Sequence, residues 1–237
     1  MRFVPIVTGP PTSLQSTVDR FAQSFKVAAS LHSLHPGTSD VPSRSLRPAM
    51  VLCTIAAFEG FAEDILSAAM QSRGYILLQI SEQANLTNPD LSDVEKKISG
   101  LFKGALGEVE DDFSLEVWSP PRGNSGWWHT GILAWKDAKR DATAWMQVRH
   151  CLAHGVTSGW GSELWPDAHS PKRRGELVPA AWSVLRETEA GRHSLAVRCA
   201  INCCRIYRYG AQNLADCLAR HLGETLDWTK VPDFVLE

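Results

Sequence analysis

The amino-acid sequence predicts an all-α protein, built as a bundle of long helices joined by long loops. Apolar residues recur at intervals of three and four over several long segments, which is the period of a helix with one buried face. Proline or glycine stands where most of these segments stop. With 237 residues and 44% hydrophobic content, the chain can bury one sizeable core, so we expect a single domain over residues 1–237.

The N-terminal half predicts three helices. Ser13 opens the first helix, and Pro36 and Gly37 follow its end. The second helix carries apolar residues at helical spacing and stops at Gly74, while Asp90 caps the third. The predicted helices cover about 13–34, 47–72 and 91–102, and the short apolar run 75–80 has no assigned type.

The C-terminal half predicts two further helices. A stripe of apolar residues from Trp135 to Leu152 has helical spacing and stops at Gly155, and a second stripe precedes Gly223. These helices are predicted over about 130–154 and 190–222. The segment 118–128, rich in tryptophan, proline and glycine, is predicted as a loop, and 176–185 as a short strand or β-hairpin.

The charges are small in sum and unevenly distributed. The formal net charge is −2, so no global basic field indicates a nucleic-acid partner. Residues 90–116 carry eight carboxylates against three lysines, which predicts a solvated face or one averse to nucleic acid. Residues 136–220 carry 13 Lys or Arg against 8 Asp or Glu, so the positive charge collects around the last two predicted helices.

The composition also predicts the compartment. No segment is long and apolar enough to cross a bilayer, and the N-terminus lacks the core and cleavage site of a signal peptide. We therefore expect a soluble, cytoplasmic protein with no membrane partner. The six cysteines lie mostly within apolar helical patterns and form no Cys-x-x-Cys pair, which predicts reduced, buried thiols and no zinc knuckle.

An arginine and a histidine, Arg149 and His154, are separated by four residues near the end of the predicted fourth helix. Two other pairs, which start at Arg122 and Arg186, also have an arginine followed by a histidine after four to six residues. Only the first pair lies on a predicted helix, with a polar residue, His150, after the arginine, alanine before the histidine and glycine after it. The context, and not the spacing alone, singles out this pair.

This pattern resembles the active-site signature of the HEPN superfamily (higher eukaryotes and prokaryotes nucleotide-binding domains), whose ribonuclease branches carry R-x4-6-H at the end of a bundle helix. The predicted second helix, in which aromatic residues flank Glu59 and precede Asp64, is similar to the acidic helix of the RiboL-PSP-like branch. The family most often has asparagine or another short polar residue after the arginine, where this chain has His150.

The resemblance implies a HEPN-like up-and-down helical bundle that acts as a metal-independent endoribonuclease and needs no cofactor. Arg149 and His154 would be its catalytic residues, and RNA its substrate. Two protomers of the family pair their motifs in one cleft, which implies a homodimer. The resemblance also implies a toxin or phage-defence effector, a class whose partner can be an antitoxin protein.

The side chains themselves support this chemistry. RNA is cut without a metal when a base removes the 2′-hydroxyl proton and a cation stabilises the charge that grows on the phosphate. Imidazole titrates near pH 6.5 and serves as acid or base, whereas a guanidinium keeps its charge and forks onto phosphate oxygens. On a helix Arg149 and His154 point about 140° apart, so a second copy of the helix is expected to complete the site.

Other interpretations remain open from the sequence. Arg149 also fits a surface ion pair, and His154 a cation that complements the helix C-terminus. His150 and His154 have the spacing of two zinc ligands, with a third from His129 or His169, although a cysteine replaces the glutamate that metalloproteases carry after the first histidine. The main alternative is a HEPN-fold module that binds RNA or protein without turnover.

Several polar residues are predicted to support the site. Glu59 and Asp64 are interpreted either as solvated carboxylates or, if one turns inward, as groups that orient Arg149 or His150. In the loop 118–128, Trp127 and Trp128 are candidates for stacking on bases. Three arginines share one face of the last predicted helix, where they either grip RNA phosphates or form a solvated face. They are Arg198, Arg205 and Arg208.

Overall fold

Six helices and one β-hairpin make up the described part of the chain. The computed structural model describes residues 13–34, 43–111, 113–120, 128–154, 165–166, 181, 185 and 195–236. Most of these residues are helical, which confirms the mainly-α class. The elements are α1 (Leu14–Ser33), α2 (Ser43–Ser72), α3 (Leu77–Gln83), α4 (Leu91–Leu101), β1 (Ser114–Ser119), β2 (His129–Ala134), α5 (Trp135–His154) and α6 (Val197–Leu222). Within the described ranges, no helix has a stretch long and apolar enough to cross a membrane.

Helix α6 forms the centre of the core. Its predicted apolar stripe is buried along its whole length, from Leu195 just before the helix to Cys217. Helices α2, α4 and α5 and strand β1 pack around it, and α1 packs mainly on α2. Even the polar Asn202 is buried, and its amide bonds to the backbone N–H and C=O of Trp118 on β1, at 2.8 and 2.7 Å. A helix that is buried on nearly all sides must satisfy its polar groups in this way.

The ends of three helices follow the signals in the sequence. Ser13 caps α1 by accepting the amide of the third helical residue at 3.1 Å. Asp90 caps α4 through its carboxylate, which accepts the amides of Ser92 and Asp93 at 2.8 and 3.0 Å. Gly223 ends α6 with φ at 78°, a left-handed conformation that glycine adopts without steric cost. The predicted start of α4 and both ends of α1 therefore hold to within one residue.

The β-hairpin corrects two predictions. Strands β1 and β2 pair antiparallel over six residues each. The helix predicted from residue 130 therefore begins at Trp135, and the predicted loop 118–128 begins inside β1. Leu115 and Val117 are buried and alternate with exposed residues, so the period of this segment is two, as in a strand with one buried face.

Three further elements differ from the prediction. Helix α2 starts at Ser43, five residues before Pro48, so this proline lies inside the helix and not in its first turn. The unassigned run 75–80 leads into helix α3, which buries no residue. The segment 176–185, predicted as a strand or hairpin, is described only at Ala181, which is helical, and at Leu185, whose N–H donates to the Ala181 carbonyl at 3.2 Å. The last helix, predicted from residue 190, begins at Val197, and Leu195 and Ala196 lie before it.

The cysteines are thiols that pack in the interior. All six are free, and five are buried, as predicted. Burial raises the pKa of both Cys199 and Cys204 to about 12. These two thiols therefore stay protonated at neutral pH and are not nucleophiles.

Helix α6 approaches α4 closely at Gly210. A β-carbon at this position would lie 2.5 Å from Leu91 Cδ1, and Leu91 is fully buried. The α2 glycine Gly60 is the opposite case, because a β-carbon there meets no atom within 4 Å. The two glycines thus offer a matched pair, one packed against a neighbour and one open.

We expect the two glycine-to-alanine substitutions to act in opposite directions. Gly60→Ala should raise the free energy of unfolding by about 0.5–1 kcal/mol, because alanine is the better helix former. Gly210→Ala should lower it by about 1–3 kcal/mol, because Leu91 has to move within a packed core. Denaturant unfolding followed by circular dichroism measures both changes. A gain in stability from Gly210→Ala would show that α4 and α6 have room for the methyl group.

Candidate functional site

Arg149 lies in the last turns of α5, where side chains from two other elements hold it. Its Nη2 lies 3.4 Å from Glu59 Oε2 on α2, and its Nη1 donates to Asn88 Oδ1 at 3.2 Å. The neighbouring Val148 and Cys151 are buried, which fixes the rotation of α5 about its axis. The arginine side chain remains 23% exposed. A guanidinium has five N–H donors, so this one keeps donors for a ligand.

Glu59 brings a carboxylate to this arginine from the edge of the core. Phe58 and Ala62 beside it on α2 are fully buried, and the Glu59 side chain is 21% exposed. Burial raises the pKa of this carboxyl, an effect that outweighs the opposing attraction of Arg149. The second oxygen, Oε1, is buried and has no hydrogen-bond partner among the described residues. The charged form of Glu59 therefore carries a desolvation cost that Arg149 offsets only in part.

Asn88 belongs to the site, although the sequence motif does not include it. Its backbone φ is 49°, in the left-handed region that few residues other than glycine adopt and that asparagine tolerates best. The residue precedes Pro89 and the helix cap Asp90. This run predicts a turn before α4, but nothing in it predicts the contact with Arg149.

Antiparallel packing of α4 and α5 brings the Asn88 loop to the end of α5. Side-chain contacts join α5 to α4 and to the loop before it, and residues later in α5 contact residues earlier in this segment. Trp135 Nε1 and Lys139 Nζ bind Glu95 at 2.8 and 2.7 Å, the Thr143 hydroxyl binds Asp90 Oδ2 at 2.5 Å, and Arg149 binds Asn88. The Tyr207 hydroxyl donates to the Ala142 carbonyl at 2.9 Å and fixes α5 to α6. The position of Arg149 is thus determined by the packing of α4, α5 and α6.

The two histidines of the motif follow Arg149 on α5. His150 is exposed on the surface of the helix. His154 is the last residue of α5, and its side chain lies outside the described structure. Helical geometry sends the side chains of Arg149 and His154 about 140° apart. The described geometry therefore covers the arginine half of the predicted catalytic pair.

Asp64, the other predicted acidic partner, faces α1 instead. Its Oδ2 lies 3.1 Å from Nη1 of Arg20. Glu59 and Asp64 are five residues apart on α2, so their side chains leave the helix about 140° apart. Of the two carboxylates, Glu59 is the one in contact with Arg149, and Asp64 joins α1 to α2.

Two of the three predicted RNA-binding arginines are buried. Arg205 is 9% exposed, and its Nε donates to the Glu116 carbonyl at 3.0 Å while Nη1 bonds to the Phe234 carbonyl. Arg208 is 8% exposed, and its guanidinium stacks on Tyr209 at 4.1 Å. Arg205 fastens the hairpin and the C-terminal segment to α6, whereas Arg208 bonds to Gln212 and stacks on Tyr209 within α6 itself. Guanidinium groups buried in this way are poorly placed to bind the phosphates of an RNA strand.

Arg198 is half-buried and stacks on tryptophans of the hairpin. Its guanidinium lies 4.7 Å from the ring of Trp118 and 5.6 Å from that of Trp128. Trp128 is the one described tryptophan of the pair predicted to stack on bases, and Trp127 lies outside the described residues. Here a guanidinium lies over the indole rings, at the distances of a cation–π contact.

The alternative zinc site involves residues that the structure describes in part. His129 is exposed at the start of β2, and His169 lies outside the described residues. Among the residues that are described, no three histidine, cysteine or acidic side chains come together as ligands of a metal ion.

The pH dependence of stability should report the charge on Glu59. Because burial raises the pKa of this carboxyl, folding favours its protonated form. Stability from this residue is therefore present at acid pH and is lost as pH rises through the raised pKa. Relative to Glu59→Gln, the wild type should lose stability as pH rises above about 4, the ordinary range of a glutamate.

Denaturant unfolding of both proteins over this pH range measures the difference. Glu224→Gln is a matched control, because that carboxylate is exposed and forms no ion pair with a described residue. If the free energy of unfolding of the wild type instead rises relative to that of Glu59→Gln as pH rises, the bond to Arg149 outweighs the cost of burial.

Comparison of the chain with protein families, with curated proteins and with solved structures finds no match.

Proposed function

We propose that this protein is a metal-independent endoribonuclease with a HEPN-like fold, in which Arg149 and His154 cleave RNA. The observation that carries the proposal is the way Arg149 is held. Glu59 and Asn88 each bind one Nη atom of a guanidinium that stays partly exposed, near the end of the helix that carries His154. A guanidinium that is fixed in place and still open to solvent is suited to bind a phosphate.

The proposed reaction uses the RNA's own nucleophile. The His154 imidazole takes the proton of a 2′-hydroxyl, and the 2′-oxygen attacks the adjacent phosphorus. The bond to the 5′-oxygen breaks, and that oxygen takes a proton from an imidazolium. The products are a 2′,3′-cyclic phosphate and a 5′-hydroxyl, so neither water nor a metal ion enters the balance. Arg149 stabilises the charge on the non-bridging oxygens.

Glu59 and Asn88 serve this reaction as positioning residues. Each fixes a different Nη atom of Arg149, so the plane of the guanidinium is set by two elements that do not themselves carry the motif. Positioning of this kind lowers the entropy that the reaction has to lose when the substrate binds. The raised pKa of Glu59 and the left-handed backbone of Asn88 are both costs to the fold, and such costs collect at functional sites.

End-group analysis of cleaved RNA tests the proposal. We expect 2′,3′-cyclic phosphate and 5′-hydroxyl ends, unchanged cleavage in EDTA and no cleavage of DNA. An RNA with a single 2′-deoxynucleotide at the preferred site is the matched substrate control, because it lacks one nucleophile and nothing else. Ends with 5′-phosphate, or cleavage lost in EDTA, would favour a metal hydrolase that uses His150 and His154.

A second candidate function is a module that binds RNA or protein without turnover. The ion pair favours it, because Glu59 already offers Arg149 a counter-charge without any substrate. Saturable binding of RNA, with intact RNA recovered after long incubation, would support this candidate and contradict the nuclease.

The biological role that goes with the nuclease is a toxin or a phage-defence effector. Induced expression in a bacterial host should then arrest growth, and expression of His154→Ala should not. An adjacent gene whose product restores growth would identify the antitoxin partner. Growth arrest by both the wild type and His154→Ala would show that the toxicity does not depend on the proposed site.

A further inference from the structure

An open pocket lies beside the loop that holds Arg149. Its volume is about 370 Å³, within the size range of small-ligand sites. The loop and α4 line it together, with Leu86, Thr87 and Pro89 from the loop and Asp93, Lys96 and Lys97 from the helix. Thr87 and Pro89 are the chain neighbours of Asn88, which binds Arg149. One short loop therefore contributes both to this pocket and to the Arg149 site.

Lys96 and Lys97 are the two cations among the residues that line the pocket. Asp93, Lys96 and Lys97 are spaced by three and four residues and so share one face of α4. Neither ammonium forms an ion pair or hydrogen bond with any residue that the structure describes. The carboxylate of Asp93 is turned to the start of the helix, where it accepts the Asp90 amide at 3.3 Å.

Among the residues that line this pocket, Asp93 is the one carboxylate from the acidic stretch 90–116. Several of the carboxylates in this stretch already have cations or backbone amides as partners. They are Glu95 and Glu110 with Lys139, Glu108 with Arg220, and Asp90 with the first amides of α4. In the pocket the two ammonium groups outnumber the one carboxylate, so an anion is the ligand that the balance of charge favours.

We propose that this pocket binds a nucleotide of the RNA strand next to the phosphate that is cleaved. Lys96 and Lys97 bind the phosphate of that nucleotide, and the apolar side chains of Leu86 and Pro89 contact its sugar or base. The Asn88 loop connects this subsite to the guanidinium of Arg149. This inference rests on the proposed function, and it adds a binding subsite from a helix outside the catalytic motif.

A free nucleotide carries the same phosphate group as an RNA strand. The experiment therefore has two arms, which distinguish RNA from a free nucleotide as the ligand. One arm measures the affinity of a fluorescent 2′-O-methyl oligoribonucleotide, which binds as RNA but cannot be cleaved because its nucleophile is blocked. The other arm measures the affinity of a nucleoside 5′-monophosphate. Both are run with the full chain at several salt concentrations.

The test variant is Lys96→Ala/Lys97→Ala, and the matched control is Lys103→Ala. Lys103 belongs to the same acidic stretch and is exposed, but it does not line the pocket. The double variant should bind the oligonucleotide about five- to tenfold more weakly, and the slope of log Kd against log salt should fall by about 0.7 for each phosphate that the variant no longer binds. Lys103→Ala should stay within about twofold of wild type. Lys96→Arg/Lys97→Arg, which keeps both charges, should retain the affinity.

Each outcome decides the proposal. An unchanged affinity of the double variant for the oligonucleotide overturns the proposal, because the two lysines then do not bind RNA. An equal loss of affinity in Lys103→Ala also overturns it, because the loss then reflects the overall charge of the surface and not the pocket. Binding of the mononucleotide with no competition from the oligonucleotide overturns it in favour of a free-nucleotide site. If the wild type binds RNA through these lysines but never cleaves it, the subsite stands and the nuclease fails. If cleavage depends on Arg149 but RNA binding does not depend on the two lysines, the proposed subsite is wrong and the proposed nuclease activity stands.

Discussion

Replacing Arg149 or His154 with alanine is expected to lower the rate of RNA cleavage by about 10²- to 10⁴-fold. His154→Ala removes the base that takes the 2′-hydroxyl proton. Arg149→Ala removes the cation that stabilises the phosphate, and it also leaves the half-buried carboxylate of Glu59 without its partner. The double variant should lose little more than either single variant, because the two groups act in one step. Initial rates on a fluorogenic RNA measure the loss.

The controls separate catalysis from folding. Arg149→Lys keeps a charge beside Glu59 but loses the planar fork, so it should restore stability and leave most of the rate loss in place. Lys136→Ala removes an exposed cation of the same helix that forms no ion pair with a described residue, and His129→Ala removes the histidine of a competing pair. Both should cleave RNA at the wild-type rate. Full activity in His154→Ala contradicts the mechanism.

The helices could be predicted because their signals are local. The stripe on α6 requires only that apolar residues repeat every three or four positions, and its end requires only Gly223. The β-hairpin could not be predicted in the same way. Part of it lies in a segment rich in proline, glycine and tryptophan, and Asn202, a residue far along the chain, holds β1 in place.

In the candidate site, too, local signals could be predicted and tertiary contacts could not. Arg149 is found from its spacing to His154 and Glu59 from the acidic helix, and both are properties of one segment of sequence. Asn88 reaches Arg149 because α4 and α5 pack antiparallel, which is a tertiary contact without a local signal. The burial of Arg205 likewise could not be predicted from its own helix, because residues 224–236, further along the chain, cover it.

Activity is expected to require two copies of the chain. The side chains of Arg149 and His154 leave α5 about 140° apart, and a reaction needs them on the same phosphate. A twofold dimer that brings together the ends of both α5 helices would supply the arginine from one protomer and the histidine from the other. The crowding of cationic groups in such a cleft is tolerable, because imidazole can stay neutral and phosphate is the counter-charge.

Mixing two inactive variants tests this composite site. Arg149→Ala and His154→Ala protomers, allowed to exchange in equal amounts, form mixed dimers in about half of the population. Each mixed dimer keeps one intact arginine and one intact histidine on different chains. The mixture should therefore cleave RNA at least about tenfold faster than either variant alone. A parallel mixture of Arg149→Ala with the double variant should gain nothing, because no intact arginine is present.

The same experiment can reject the dimer. If labelled protomers exchange and the mixture stays as inactive as its components, then each chain carries a complete site and His154 acts with Arg149 of its own helix. If the protein is a monomer at micromolar concentration with RNA present and still cleaves, the conclusion is the same. In either case the 140° between the two side chains would have to be closed by the substrate strand itself, which would bridge the two groups around the end of α5.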